Sequence, residues 1–330
     1  MGQSMPADYP WQSLETLIYE KSSRWELSSD ARQELLDGNE SPILEVLVPL
    51  LPRLEILEVN VGSCGIAWLN HALDLCYGPS TPEIQHIRIF DTEGRIDHAE
   101  ALQDFIQSHS RKSVTLDNLS MDTAEPWIMR YDHWPNHISS LSLLNCRVGS
   151  TTIHALLASL ENNRSFSCIT DDNVDNYLVV EPYFIVAGLV TGSKASLEEL
   201  TILGCYHDTT SSSDRFYQLG SLRCFENLKY LTVQAEILMG NGHRPFEGAQ
   251  SLLPCSIRKL GLNVEADEHG YQKIFSDSHL ASEVGIIQFD ELKELKSFKL
   301  HGVPKSAMEF YMTRYSWQKL IDDGINIDWH

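Results

Sequence analysis

Two histidines, His133 and His137, stand four residues apart beside Asp132 and form the arrangement in this sequence that most resembles a metal site. Side chains four residues apart share one face of a continuous helix, where imidazole nitrogens could coordinate zinc. Pro135 lies between the two histidines. Proline would break such a helix, because it lacks the backbone donor and clashes with the preceding turn. We therefore predict that the chain binds no metal ion here.

Glycine-containing segments offer the next candidate chemistry, the binding of a phosphate group. The segment Gly188–Lys194 resembles a phosphate-binding loop, but its glycines are four apart and it lacks the Gly-Lys-Ser/Thr ending. Its last part, Gly192–Lys194, better fits a turn before Leu197. The pair Gly240 and Gly242 lacks the third glycine and the preceding strand pattern of a dinucleotide site. We predict no cofactor.

Motifs for catalysis are also missing from the sequence. It contains neither a Gly-x-Ser-x-Gly nucleophile elbow nor a His-Glu-x-x-His motif, and its 13 histidines are scattered. The 7 cysteines include no Cys-x-x-Cys pair, so a zinc knuckle or a thioredoxin-like site is not indicated. We predict no catalytic residues and a non-enzymatic role. The alternative is an unrecognised enzyme, which a deep pocket lined by titratable groups would favour.

One phrase, Leu-x-x-Leu-x-Leu with Ile, Val or Phe as substitutes, recurs along most of the chain. Seven copies begin at Leu54, Ile84, Ile138, Leu197, Leu228, Ile257 and Leu295. Most intervals between their middle apolar residues, including a weaker copy centred on Val114, are 27 to 31 residues. A 59-residue gap predicts a degenerate unit at Phe166–Ile169, and a 38-residue gap predicts a loop insertion before Phe298. Recurrence at such a period is typical of a leucine-rich-repeat solenoid.

Each copy predicts a short strand whose alternate residues face opposite sides of a sheet. One such strand cannot bury its apolar side alone, so we expect parallel stacking, with helices returning the chain outside the sheet. The linking segments 151–160 and 98–106 have apolar residues on one helical face. Cys146 and Cys205 occupy the Asn/Cys slot, where a small buried side chain turns the chain out of its strand. We therefore predict an α/β leucine-rich-repeat solenoid, a horseshoe or arc with a parallel concave sheet.

The predicted domain organisation has two parts. Residues 1–50 form an atypical N-terminal capping region. Residues 51–330 form the leucine-rich-repeat domain, which includes a closing helix and strand at 306–330. In that closing unit Gly324 ends the helix, and apolar residues alternate along a strand over 325–329.

Charge and hydropathy narrow the class of partner. The 330 residues carry 25 Lys and Arg against 46 Asp and Glu, a formal net charge of −21. Such a chain repels phosphate backbones, so we predict no nucleic-acid partner, whereas a basic protein would be attracted. The sequence shows no charged-then-apolar leader and no apolar run of about 18 residues. We expect a soluble protein without membrane contact, in the cytoplasm or the nucleus, with reduced thiols.

A local run of basic residues reverses this charge towards the C-terminus. Its cations, and the two acids among them, are Lys293, Lys296, Lys299, Lys305, Arg314, Lys319, Glu294 and Glu309. A solvent-exposed face explains such a run, and a docking patch is the alternative.

The predicted sheet itself supplies the candidate binding site. A purely solvated concave face would avoid large apolar groups, yet five are predicted on it as one apolar stripe. These are Ile56, Phe90, Leu144, Leu203 and Tyr230. With their polar neighbours, the predicted partner-contacting residues are Ile56, Glu58, Arg88, Phe90, Ser142, Leu144, Thr201, Leu203, Tyr230 and Thr232. The alternative is that a loop or terminal helix of the same chain covers the stripe.

Several segments resemble fungal leucine-rich-repeat proteins. They are Leu50–Leu57, Ser196–Ile202, Gly220–Leu231 and Leu252–Leu260. Many members of that family carry an N-terminal F-box, whose helices dock a ubiquitin-ligase scaffold while the repeats hold the substrate. The first 50 residues of this chain lack the Leu-Pro-x-Glu-Ile-type opening of an F-box, and Met5–Asp8 is the nearest sequence.

Together these features predict a non-catalytic scaffold that recognises a protein partner through the concave face. An apolar stripe within a polar rim is typical of protein interfaces, and acidic charge would steer a basic partner. The resemblance implies one specialisation, a substrate adaptor in ubiquitin ligation, with a ubiquitin-ligase component as partner. The alternative function is an inhibitor or regulatory scaffold of a basic enzyme, which the acidity suggests.

Overall fold

The structure is a computed structural model, and part of the chain is described in it. The described residues are 48, 51, 53–61, 69, 84–92, 105, 112–121, 138–170, 181–204, 219–234, 237–238, 252–263, 292–301 and 321–329. The predicted capping region, apart from Val48, and most of the predicted closing helix lie outside these residues.

The described residues contain twelve short strands, of which nine have five residues each. The strands are β1 (Ile56–Asn60), β2 (His86–Phe90), β3 (Ser113–Asp117), β4 (Ser120–Met121), β5 (Ser140–Leu144), β6 (Arg147–Val148), β7 (Ser165–Ile169), β8 (Glu199–Leu203), β9 (Tyr230–Gln234), β10 (Lys259–Asn263), β11 (Ser297–His301) and β12 (Asn326–Trp329). Two helices are described over their full length, α1 (Ser150–Ala158) and α2 (Pro182–Gly192).

Ten of these strands form one sheet in the order β1-β2-β3-β5-β7-β8-β9-β10-β11-β12, and neighbouring strands in it are parallel. The strand order follows the chain order, so each turn of the chain adds one strand beside the previous one. The short strands β4 and β6 pair separately, just beyond β3 and β5. The chain is therefore a parallel β-solenoid.

The register of the sheet aligns the middle apolar residue of every predicted repeat. The second residues of neighbouring strands are Cα partners throughout. They are Leu57, Ile87, Val114, Leu141, Phe166, Leu200, Leu231, Leu260, Phe298 and Ile327. The weaker copy and the degenerate unit predicted from the spacing are strands β3 and β7, and the predicted closing strand is β12. The prediction of parallel strands stacked in register is confirmed.

The hydrophobic core lies on the side of the sheet to which these residues point. In most strands the second and fourth residues are both buried, as Ile87 and Ile89 are in β2. Fully burying one such side chain stabilises the fold by roughly 1.5–3 kcal/mol, and most strands contribute two of them. The buried aliphatic residues of α1 and α2 belong to the same core. The predicted apolar face of the 151–160 segment is confirmed, since Ile153, Leu156 and Leu160 are each 0% exposed.

The chain leaves several strands through a residue in the left-handed backbone region. Asn118 after β3 and Asn145 after β5 have φ angles of 54° and 52°, and Gly204 after β8 has a φ of 69°. Asparagine and glycine tolerate this conformation better than other residues do. The backbone N–H of Asn118 donates to the carbonyl of Leu144 at 2.8 Å, so the turns themselves stack from one repeat to the next.

Helices α1 and α2 pack closely because two glycines of α2 face α1. A Cβ atom added at Gly188 would lie 2.8 Å from the carbonyl oxygen of His154, and one at Gly192 would lie 2.3 Å from that of Leu157. The glycines of the loop-like segment Gly188–Lys194 therefore serve helix packing. As predicted, the residues after Gly192 form a turn that leads into β8.

Candidate partner-binding face

The open face is defined here as the side of the ten-stranded sheet opposite the hydrophobic core. It carries the first, third and fifth residues of the strands, which form its first, middle and last rows. All ten predicted contact residues lie on this face. The first row contains Ile56 and Tyr230, the middle row Glu58, Arg88, Ser142, Thr201 and Thr232, and the last row Phe90, Leu144 and Leu203.

The large apolar side chains of the open face are divided between opposite edges. Ile56, which is 61% exposed, and Tyr230 belong to the first row, whereas the other three belong to the last row. Within the last row, Asp117 of β3 separates Phe90 from Leu144. The five residues predicted as one stripe therefore do not form a continuous line across the strands.

Three aliphatic side chains of the last row do lie on adjacent strands. Leu144, Ile169 and Leu203 are Cα partners across β5, β7 and β8, and each is partly exposed. We name them the aliphatic trio. Ile169 was absent from the predicted contacts because its repeat unit departs from the consensus phrase. The degenerate unit Phe166–Ile169 was the signal that could have included it.

Hydroxyl side chains fill the centre of the open face beside the trio. In the middle row they stand on five consecutive strands of the sheet, and in the first row on three. They are Thr115, Ser142, Ser167, Thr201 and Thr232, and Ser113, Ser140 and Ser165. Adjacent strands lie about 4.8 Å apart, so the hydroxyls form regular ladders. We name this surface the hydroxyl floor.

The β1–β3 end of the open face carries an ion-pair cluster. Nη2 of Arg88 lies 2.6 Å from Oδ2 of Asp117, and Nη1 lies 3.9 Å from Oε1 of Glu58. The Arg88 guanidinium also lies 5.7 Å from the centre of the Phe90 ring. The hydrogen bond to Asp117 and its charge raise the pKa of Arg88. The charges of Arg88 and Glu58, both predicted partner contacts, are therefore balanced within the chain.

The opposite end of the open face carries cations that are held by neighbouring side chains. Nζ of Lys259 lies 5.2 Å from the centre of the Tyr230 ring, within the range of a cation–π contact. Nζ of Lys299 lies 3.0 Å from Oδ2 of Asp328 on β12. The centre of the face thus carries small hydroxyl side chains and one charged residue, Glu199 of β8, which accepts a hydrogen bond from the Ser165 hydroxyl at 3.2 Å. Both ends carry larger and more highly charged groups.

The charge of the open face differs from that of the whole chain. Its cationic residues in the described strands are Arg88, Lys259 and Lys299, and its anionic residues are Glu58, Asp117, Glu199 and Asp328. Three cations against four anions leave this surface nearly neutral, although the whole chain carries −21. The acidity of the chain is therefore not concentrated on the described part of the open face.

Cys146 has the structural position predicted for it. Its side chain is buried, and its thiol donates to the carbonyl oxygen of Leu116 at 3.3 Å. Burial raises the pKa of the Cys146 thiol to about 12. Because only the thiolate is a good nucleophile or metal ligand, this thiol is chemically inert at neutral pH. Cys205, predicted in the same slot of another repeat, lies outside the described residues.

One pair on the open face has residue types that could support nucleophilic catalysis. His86 of β2 is the register partner of Ser113 of β3. A serine nucleophile requires a base within hydrogen-bond reach, and no hydrogen bond joins these two side chains in the described part of the chain. Within the same ranges, no three His, Cys, Asp or Glu residues lie close enough to hold a metal ion.

Other candidate sites from the sequence lie beyond what the structure describes. The residues Asp132, His133, His137, Gly240 and Gly242 all fall outside the described ranges. Among the helices in those ranges, none combines the length and the apolar character needed to span a membrane.

Comparisons with known proteins identify no relative. No protein-family model matches the chain, and neither a curated protein nor a solved structure gives a significant match.

Proposed function

We propose that this chain is a leucine-rich-repeat scaffold that binds a protein partner on the open face of its sheet. The repeat phrase, its period and the stacking of one strand per repeat support the leucine-rich-repeat assignment. The aliphatic trio beside the hydroxyl floor is the observation that carries the binding function. It provides contiguous, partly exposed apolar side chains in the central part of the face, where Glu199 is the one charged side chain on β5, β7 and β8.

The energetics of this surface favour a protein ligand. Removing about 100 Å² of apolar surface from water over the trio would contribute on the order of 2.5 kcal/mol. That corresponds to a change of about 60-fold in the dissociation constant. Hydroxyl groups cost less to desolvate than charged groups, and they can donate to or accept from a partner's polar atoms. A central apolar contact with polar surroundings is the usual anatomy of a protein interface.

Size differences along the face favour binding over its centre. Serine and threonine in β3, β5 and β7 keep the hydroxyl floor low, whereas the Arg88–Phe90 and Tyr230–Lys259 contacts form larger groups towards the ends. Three steps between neighbouring strands span about 14 Å. An α-helix with its side chains is about 10–12 Å wide, so the floor has the width needed for one helical or extended segment.

A substrate adaptor in ubiquitin ligation is one form of this scaffold function, and the resemblance to fungal repeat proteins supports it. A regulatory scaffold for a basic enzyme is the second form, and the net charge of −21 supports it. The two forms differ in their partners and in salt dependence. An adaptor would co-purify with a ligase scaffold, whereas binding to a basic enzyme would weaken steeply with ionic strength.

The test compares two variants of the full chain in affinity purification and in calorimetry with the purified partner. Leu144→Asp/Leu203→Asp introduces charge into the trio, and Ile56→Asp makes the same change at an exposed position on the same face. We expect the trio variant to weaken binding at least tenfold and the Ile56 variant to weaken it less than threefold. Unchanged binding by a trio variant that melts at the wild-type temperature would contradict the proposal.

A further inference from the structure

Four cations lie at the edge of the sheet where its strands begin, on three of the last strands in the chain order. Lys229, Arg258 and Lys296 immediately precede β9, β10 and β11, and Lys259 is the first residue of β10. We name these four residues the basic corner. The backbone N–H of Arg258 donates to the carbonyl of Lys229 at 2.8 Å, and that of Lys296 donates to the carbonyl of Arg258 at 2.8 Å. Lys229, Arg258 and Lys296 are therefore backbone neighbours on three consecutive strands of the sheet.

Two acids occupy part of the basic corner. Nζ of Lys229 lies 2.6 Å from Oε2 of Glu198, and this hydrogen bond lowers the pKa of the Glu198 carboxyl. Nε of Arg258 lies 3.0 Å from Oε2 of Glu294. Four cations against these two acids leave a local positive surplus on a chain whose net charge is −21.

Several donors of the basic corner have no ion-pair or hydrogen-bond partner among the described residues. Lys296 is exposed and makes no ion pair with any described residue, and the Nη1 and Nη2 atoms of Arg258 have no hydrogen-bond partner within the same ranges. Lys259 is exposed, and the Tyr230 ring limits its orientation. A guanidinium with two open nitrogens matches the two oxygens of a carboxylate.

We propose that the basic corner binds an acidic segment of a protein, a segment of several consecutive Asp or Glu residues. Charge complementarity selects this occupant. Within a screening length of about 8–10 Å, the acidic segment meets the local cations, whereas a long polyanion such as a nucleic acid extends into the negative field of the rest of the molecule. The site lies at the opposite ends of the strands from the aliphatic trio and does not depend on the partner proposed for the trio.

Of the four residues of the basic corner, only Lys296 belongs to the basic run that the sequence shows. Lys293, Lys296 and Lys299 form a visible basic run, for which a solvent-exposed face is the simple explanation. The fold adds Arg258 and Lys259 from the preceding repeat, and Lys229 from the repeat before that.

The experiment measures binding of a fluorescein-labelled decaglutamate to the full chain by fluorescence anisotropy at low and moderate salt. The test variant is Lys259→Glu/Lys296→Glu, and Lys259→Gln/Lys296→Gln replaces it should charge reversal prevent folding. Lys112→Glu is the matched control. Lys112 is exposed and immediately precedes β3 on the same edge of the sheet, and the residue in the same position of the preceding strand is the uncharged Gln85. A single-stranded oligonucleotide of equal charge is the competing probe.

We expect the wild-type chain to bind decaglutamate in a salt-dependent manner, the double variant to bind at least tenfold more weakly, and Lys112→Glu to stay within twofold of the wild type. Leu144→Asp/Leu203→Asp should also bind decaglutamate within twofold, which separates this site from the trio. The proposal is overturned by a wild-type chain that does not bind the peptide, by equal losses in the double variant and Lys112→Glu, or by tighter binding of the oligonucleotide.

Discussion

Leu144 and Ile169 are register partners on neighbouring strands of the sheet, and both side chains are partly exposed on its open face. The two residues are 25 positions apart in the chain. Parallel stacking places them about 4.8 Å apart, where a single ligand side chain can contact both. This adjacency, extended by Leu203, joins apolar residues that are distant in the sequence into one contiguous patch, which is the surface proposed for partner binding.

Ile169 should therefore contribute to partner binding, although it does not belong to a well-formed repeat. We expect Ile169→Ser to weaken binding of the purified partner about fivefold to tenfold, because the substitution removes a central apolar contact and continues the hydroxyl floor. Isothermal titration calorimetry measures the change. Ile56→Ser, the same substitution at an exposed position of β1 outside the trio and the hydroxyl floor, is the control and should change the affinity less than twofold.

The contact between α1 and α2 requires glycine at position 192. A methyl group there would lie 2.3 Å from the carbonyl oxygen of Leu157, so the two helices would have to separate. We expect Gly192→Ala to lower the free energy of unfolding by about 1–3 kcal/mol, the usual range for overpacking. Thr191→Ala, at an exposed neighbouring position, should change it by less than about 1 kcal/mol. Urea denaturation measures the free energy of unfolding of both variants. Equal midpoints for the two variants would contradict the prediction.

Glu181, which immediately precedes α2, should reduce stability at neutral pH. Burial raises the pKa of this carboxyl, and its Oε2 atom has no hydrogen-bond partner in the described part of the chain. A raised pKa means that the folded state disfavours the ionised form, so stability is lost as the pH rises above the pKa of the unfolded chain. We expect Glu181→Gln to raise the melting temperature at pH 7.5, with a gain that shrinks towards pH 4.

Melting curves of Glu181→Gln and of Glu161→Gln, which changes an exposed glutamate, across this pH range provide the check. A gain for Glu181→Gln that is equal at both ends of the range, or that Glu161→Gln reproduces, would show that the burial of Glu181 is not its cause.

The thiols of Cys146 and Cys255 should differ sharply in reactivity. Cys146 is buried with a pKa of about 12, whereas Cys255 is exposed. At pH 8 we expect iodoacetamide to modify Cys255 in the native chain and to leave Cys146 unmodified until the chain is unfolded. Peptide mass spectrometry measures both sites in one sample. Equal labelling of the two thiols in the native state would contradict the structural position assigned to Cys146.

Much of the fold was predictable because one physical requirement repeats along the chain. A strand of five residues needs neighbours to bury its apolar side, and the interval between copies determines which residues become neighbours. Val114 and Phe166 show the strength of this signal. Both belong to units that match the phrase poorly, yet both take the expected place between their neighbours in the register.

The candidate site was less predictable from the sequence. Side-chain alternation predicts which face of the sheet a residue occupies, but it does not predict which residues of neighbouring strands lie side by side. Ile56 and Phe90 face the same way, yet they stand at opposite edges of the sheet. The hydroxyl floor also escaped prediction, because serine and threonine are common at solvent-facing positions and gain significance only when they align. The basic corner could not be predicted without the register, which determines the strands whose first residues lie next to each other.

The in-register stacking of β5 and β7 underlies the trio and the hydroxyl floor, and disulfide formation between introduced cysteines tests it most directly. Ser142 and Ser167 are register partners, about 4.8 Å apart, within the Cα distance that a disulfide can bridge. Ser142 and Thr201 lie two strands apart, at about twice that distance, which a disulfide cannot bridge. Mild oxidation followed by peptide mass spectrometry should show the bridge in Ser142→Cys/Ser167→Cys and not in Ser142→Cys/Thr201→Cys. A bridge in the second pair, or none in the first, would contradict the register and with it the proposed binding surface.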